Sequence, residues 1–93
     1  MKYIIKSTGK FKKDLKRILS RGYNMGLIDE VVTALSNGEQ LDPKYKDHAL
    51  TGNWIGYREC HILSDWLLVY RYDKMALVLY LTRTGTHDDV FNK

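Results

Sequence analysis

At 93 residues the chain is too short for two hydrophobic cores, since one domain usually takes about 100–150 residues, so residues 1–93 are expected to form a single domain. A hydrophobic fraction of 44% beside 28% charged residues and one proline excludes a disordered chain, and no apolar run approaches the ~18 residues of a membrane span. The net charge of +4 is concentrated: Lys6, Lys10, Lys12, Lys13, Lys16, Arg17 and Arg21 face one acid, Asp14, whereas basic and acidic residues balance from His48 onward. Such a polarised chain suits a polyanion, most commonly nucleic acid, although a lysine-rich helix face that is merely solvated looks the same in sequence. Cys60 stands alone, so neither an internal disulfide nor a cysteine-based zinc site is expected. The N-terminal MKYIIKSTGK lacks the apolar core of a signal peptide, and the expected location is the cytoplasm.

Tyr3, Ile4 and Ile5 form a short β-prone run ending at Ser7-Thr8-Gly9, which is suited to starting a helix. Phe11, Leu15, Ile18 and Leu19 then share one helical stripe up to Gly22. Asn24 can cap a second helix, in which Leu27, Ile28, Val31, Val32 and Leu35 repeat the spacing until Asn37-Gly38. So short a link predicts an antiparallel helical hairpin. Beyond Pro43 the pattern becomes strand-like: Tyr57 to Leu63, Trp66 to Tyr72 and Met75 to Thr82, joined at Ser64-Asp65 and Asp73-Lys74, predict an antiparallel meander. The nearly continuous apolar run of the last strand predicts a central position. After Thr84-Gly85-Thr86, His87 to Phe91 has room for one helical turn. The expected object is an α+β domain, a helical hairpin packed on a small antiparallel sheet.

Three histidines, His48, His61 and His87, fall on three different predicted elements, and a meander can bring such positions to one corner of a sheet. His61 with Asp65 marks a strand-to-strand corner, while Arg83 and His87 follow the last strand. Their gaps of 13 and 26 residues, without a second cysteine, argue against a metal motif. Metal-free transesterification of RNA needs only a base for the ribose 2'-hydroxyl, an acid for the leaving 5'-oxygen and cations for the phosphate, which histidine, arginine and lysine can supply. For each histidine alone a structural role is the simpler account, most of all for His61 within a strand. Asp65 could orient a histidine or simply form the turn. Trp54 and Trp66 could stack on bases, with Trp66 better suited to the core, and Phe91 either anchors the tail or stacks on a nucleotide. Arg58 and Arg71 suit cross-strand pairing with Glu59 or Asp73.

The segments KYKDHALTGNWIGYRECHILSDWLLVYRYD and LTRTGTHDDVF, with FKKDLKRILSRGYN before them, resemble the YafQ branch of the RelE/ParE toxin superfamily over nearly the whole chain. The resemblance implies a RelE-like fold and a ribosome-dependent mRNA endonuclease without cofactor, inhibited by a bound antitoxin, the toxin being monomeric or part of a toxin–antitoxin hetero-oligomer. Carried over by motif, the site comprises His48 in KDHAL, His61 in RECH, Asp65 and Trp66 in SDW, Arg83 and His87 in RTGTH, and Phe91. His87 and His48 would share the acid and base roles, His61 and Asp65 would support them, and Arg83 would stabilise the phosphorane charge. Lys12, Lys13 and Lys16 are expected to bind phosphates of mRNA or rRNA. A noncatalytic gyrase inhibitor, as in the ParE branch, and a basic RNA-binding module are the alternatives, because fold alone does not separate them.

Overall fold

The structure, a computed structural model, describes residues 2–91. Its order follows from where the sequence changes period. After β1 (Ile4–Ser7) come two helices, α1 (Gly9–Ser20) and α2 (Met25–Ser36), and then a strand region with β2 (His48–Ala49), β3 (Arg58–Leu63), β4 (Trp66–Asp73) and β5 (Val78–Gly85), closed by α3 (His87–Phe91). The five strands make one sheet in the order β1-β5-β4-β3-β2. From β2 to β5 all neighbours are antiparallel, as the meander predicts, but β1 runs parallel to β5 with Ile4 opposite Val78 and Ser7 opposite Leu81. The sheet is therefore mixed rather than antiparallel. Two helices intervene between β1 and the meander, and such a crossover allows two strands to lie side by side in the same direction, which a tight hairpin cannot.

Local chemistry sets the helix ends. Thr8 Oγ1 accepts from Phe11 N at 3.0 Å and donates to Thr82 O at 2.8 Å, so the residue that starts α1 also ties it to β5. Gly22, at φ 85°, supplies the left-handed turn after α1. Asn24 starts α2, its side chain accepting from Gly26 N at 2.8 Å. The core lies between the helices and one face of the sheet: Phe11 and Ile18 from α1, and Ile28, Val31 and Leu35 from α2, meet Cys60, Ile62, Trp66, Leu68, Tyr70, Leu79 and Leu81. The sheet residues alternate as a pleat requires, and each large side chain so buried contributes roughly 1.5–3 kcal/mol.

Two expectations need correction. The α1 stripe omits Leu19, which is 58% exposed, and instead buries Asp14, which is 1% exposed. The last strand starts at Val78, because Asp73 Oδ1 accepts from both Met75 N and Ala76 N and turns Lys74 to Leu77 into a longer connection, leaving Met75 97% exposed. The last strand is an inner one, as expected, lying between β1 and β4, although β1 flanks it only as far as Leu81; the middle strand is β4, with Trp66 to Tyr70 buried without interruption. Beyond Leu81 the edge of β5 is met by Thr8 and Asp14 of the α1 region instead of a strand, with Thr8 Oγ1 on Thr82 O and Thr84 N on Asp14 Oδ2, and after Gly85 the chain turns into α3.

Candidate active site

The pleat of β3 that sends Cys60 and Ile62 into the core places Glu59 and His61 on the opposite face of the sheet. Across from Glu59, in register, stands His48 of β2. Glu59 Oε1 lies 3.4 Å from His48 Nε2 and 3.6 Å from His61 Nε2, and the two imidazole centroids are 6.4 Å apart. The glutamate side chain is 8% exposed, so one shielded carboxylate oxygen faces both rings. His48 Nδ1 is 2.7 Å from the carbonyl oxygen of Lys46. A carbonyl only accepts, so Nδ1 carries the hydrogen and Nε2 is left to take or give a proton.

The third histidine comes from α3. Thr86 starts this helix with reciprocal caps: Thr86 N donates to Asp89 Oδ2 at 3.0 Å, and Asp89 N donates to Thr86 Oγ1 at 3.2 Å. His87 and Phe91, four residues apart, then share one helix face with ring centroids 5.0 Å apart. Phe91 meets Trp54 edge-on at 5.6 Å, and Trp54 meets Tyr57 at 5.4 Å. His87 walls two adjoining cavities. One, of about 320 Å³, is lined with it by His48, Glu59, Trp54 and Phe91; the other, of about 340 Å³, by His61, Asp65, Leu67 and Thr86. A further cavity of about 420 Å³, running from Leu27 to Ser64, shares His61 and Ser64 with this trough. The arrangement offers proton carriers on both sides of a groove, with aromatic rings at one end.

The structure thus brings His48, His61, His87 and Phe91 together, with Asp65 at the edge. Asp65 reaches no histidine; its Oδ2 accepts from Tyr23 OH at 2.8 Å, a bond that raises the tyrosine pKa above its ordinary value. Trp66 is fully buried with Nε1 donating to Thr84 Oγ1 at 2.8 Å, so it cannot stack on a substrate, and Trp54 lines the trough instead. Arg83 donates from Nε to Asp14 Oδ2 at 2.6 Å and from Nη2 to the Asp89 carbonyl at 3.1 Å, which raises its pKa further and turns both nitrogens toward the protein. Lys12, Lys13 and Lys16 are exposed on α1, and none lines either cavity at His87. Arg58 pairs with Asp47 at 3.0 Å rather than Glu59, and Arg71 lies over the Tyr80 ring at 4.1 Å rather than beside Asp73. Glu59, Asp14 and Asp89 are the functional candidates that sequence reasoning passed over. For Glu59 a signal existed, its position two residues before His61 on a strand and hence on the same face. Asp14, four residues before Ile18 on the apolar stripe, carried a similar one. Among the described residues no group of three or more His, Cys, Asp or Glu side chains has the geometry to hold a metal ion.

Residues 3–92 match the family described as the bacterial toxin of a type II toxin-antitoxin system, YafQ. The chain is 39% identical over 89 residues to the mRNA interferase toxin YafQ of Escherichia coli K12, covering 94% of each chain. Among solved structures it is similar to a metal-bound toxin from Helicobacter pylori, with 42% identity, a TM-score of 0.91 and coverage of 96% and 99%. It is also similar to a chain of the E. coli DinJ-YafQ complex, with 37% identity, a TM-score of 0.86 and coverage of 96% and 98%. With the matched fold and nearly the whole length covered, the chain belongs to the YafQ family of type II toxin–antitoxin toxins.

Proposed function

We propose that this toxin is an mRNA interferase that cuts messages on the ribosome by metal-independent acid–base transesterification in the cytoplasm, and is held inactive by a bound antitoxin. The observation that carries the reading is the convergence of His48, His61 and His87, from β2, β3 and α3, on one trough with Glu59 beneath it. In the reaction the ribose 2'-oxygen attacks the adjacent phosphorus as a base takes its proton, and the 5'-oxygen leaves as an acid protonates it. The products are a 2',3'-cyclic phosphate and a 5'-hydroxyl. His48, with Nδ1 fixed on the Lys46 carbonyl and Nε2 3.4 Å from Glu59 Oε1, supplies one proton transfer and His87, across the cavity, the other. Glu59 offsets the charge of the imidazolium that forms beside it. Phe91 and Trp54 offer stacking faces that hold a nucleotide in the groove.

The test is the end chemistry of RNA cut on programmed ribosomes. Cyclic phosphate ends are expected, and His87→Ala should lower cleavage by ~10²- to 10⁴-fold in a protein that still folds. Cleavage of free RNA at high toxin concentration should persist in EDTA. A fully active, soluble His87→Ala protein defeats the assignment of the acid–base pair. Loss of cleavage in EDTA, restored by zinc, defeats the metal-free step. Intact message with damaged DNA would point to the gyrase-inhibitor branch instead.

A further inference from the structure

We propose that Arg21 and Asp14 are positioning residues, the two fixed ends of a clamp that reaches from α1 to α3 and sets where His87 and Phe91 stand in the trough. The inference rests on the reading of His87 and Phe91 as groups that act on RNA.

A helix of five residues does not hold its own shape in water, because nucleation costs more than one or two hydrogen bonds return. α3 has the single backbone bond from Val90 N to Thr86 O, at 3.1 Å, among its described contacts outside the regular elements. What orders it comes from outside, and the ties converge on Asp89. Arg21, at the end of α1, grips the carboxylate with both terminal nitrogens, Nη1 to Oδ2 at 2.7 Å and Nη2 to Oδ1 at 3.2 Å. This two-pronged geometry fixes direction as well as distance. The backbone of the same residue is held from the other side, where Arg83 Nη2 donates to the Asp89 carbonyl at 3.1 Å. Arg83 is in turn set by Asp14, which takes Arg83 Nε at 2.6 Å, Arg83 Nη2 at 3.2 Å and Thr84 N at 3.1 Å while 1% exposed.

Gly85 makes the docking possible. At φ 146° it adopts a conformation that L residues rarely enter, and a Cβ there would stand 2.8 Å from Asp89 Cβ. The helix therefore sits as close to β5 as the backbone allows. Asp89 lies two residues after His87 and two before Phe91, so a rotation of α3 about Asp89 moves both rings, and with them the 5.6 Å contact of Phe91 on Trp54. Arg21 and Asp14 line neither cavity at His87, so their effect on the reaction passes through Asp89 and Arg83. The Arg21 side chain is 40% exposed and outside the core, which makes Arg21 the end of the clamp that can be removed without unfolding the protein.

The experiment measures single-turnover cleavage of a message on programmed ribosomes by full-length wild type, Arg21→Ala, Arg21→Lys, Asp89→Asn, the double variant Arg21→Ala/Asp89→Asn, and His87→Ala. Amide exchange at Val90 and the proton contacts between the His87 and Phe91 rings are followed in the same proteins. Arg21→Ala is expected to lower the maximal rate by about tenfold, within the ~10²-fold that an ångström of misplacement can cost, with the half-saturating ribosome concentration and melting temperature unchanged. Arg21→Lys, which keeps the charge but not the fork, should recover only part of the rate. The double variant should be no slower than Asp89→Asn alone, because both changes break one link. Wild-type cleavage by Arg21→Ala beside a silent His87→Ala, or losses that simply multiply in the double variant, would overturn the clamp. Wild-type cleavage by His87→Ala would overturn the reading of the site itself, so the two failures are distinguishable.

Discussion

The two tryptophans show how one residue's surroundings decide its work. Trp66 starts β4 with its ring in the core and its indole N–H on Thr84 Oγ1, which itself donates to the Leu67 carbonyl at 2.7 Å. Trp54, on a short turn, is half-buried against Phe91 and Tyr57 at the mouth of the trough. Sequence places an indole at both positions and does not say which one lines the trough; the motif match selects Trp66, and burial selects Trp54. Trp66→Phe is accordingly expected to destabilise the domain by about 1–3 kcal/mol, from the lost volume and the lost hydrogen bond, and to leave the cleavage rate of each folded molecule unaltered. Urea unfolding beside a cleavage assay on the folded fraction reads the two effects separately; normal stability with a large loss of rate would return Trp66 to the site. Glu59 and Asp14 carry the same lesson for charge. Each is an acid that strand or helix statistics send to solvent, and each is tolerated inside because imidazoles or a guanidinium stand against it.

At the scale of an element, α3 is the part of the fold whose position depends most on charge. The Arg21 guanidinium, helped by the Thr86 backbone N–H, holds the Asp89 carboxyl down at about 2, below its ordinary value of 3.8. A carboxylate whose pKa is depressed in the folded state contributes stability that is complete above its unfolded value and is lost as pH falls toward the folded one. Docking of α3 should therefore weaken between about pH 4 and pH 2, with faster amide exchange at Val90 and a change in Trp54 emission as Phe91 withdraws. Asp89→Asn should abolish that dependence, and an α3 equally well docked at pH 2 and pH 5 would contradict it. The element's existence is legible in the sequence, since Thr86 and the polar turn before it announce a helix start, but its orientation is not, because it depends on Arg21, and on Asp14 acting through Arg83, more than sixty residues earlier in the chain. The same limit explains the other misses. Helix periods, caps and the meander are local and were readable from Thr8, Asn24 and the β3–β4 turn. The parallel pairing of β1 with β5 and the partners of Asp14 are long-range, and the displaced start of β5 hung on one side chain, Asp73, whose turn-forming bonds resemble any surface aspartate in sequence.

Across the whole molecule, the sheet separates two kinds of chemistry. The helices cover one face and present Lys12, Lys13 and Lys16 outward, while the histidine trough opens on the other face beside α3. Three convergent histidines were expected from the sequence once the meander was drawn, yet their common carboxylate was not, so the trough was foreseen as a place rather than as a constellation. The lysines lie outside it, so any anion they bind meets them away from the trough. Among the described residues no lysine forms a salt bridge, which leaves the α1 lysines free for an external anion, whereas Arg17 and Arg21 are paired with Asp14 and Asp89. Each phosphate contact to single-stranded RNA contributes ~0.7 to the slope of log affinity against log salt, so replacing Lys12, Lys13 and Lys16 by Gln should flatten the slope by about 2 if all three bind phosphate. Cleavage of RNA already bound should be unaffected, because phosphate contacts remote from the trough position the protein without touching the reacting atoms. For an antitoxin carrying acidic residues the same variant should bind more slowly at low salt, with dissociation little altered, since exposed charges at a rim act mainly on encounter. Binding measured over a range of salt for both partners distinguishes the cases. A slope unchanged for RNA but reduced for the antitoxin would make α1 an antitoxin landing surface only, and slopes unchanged for both would reduce this basic face to a solvated helix.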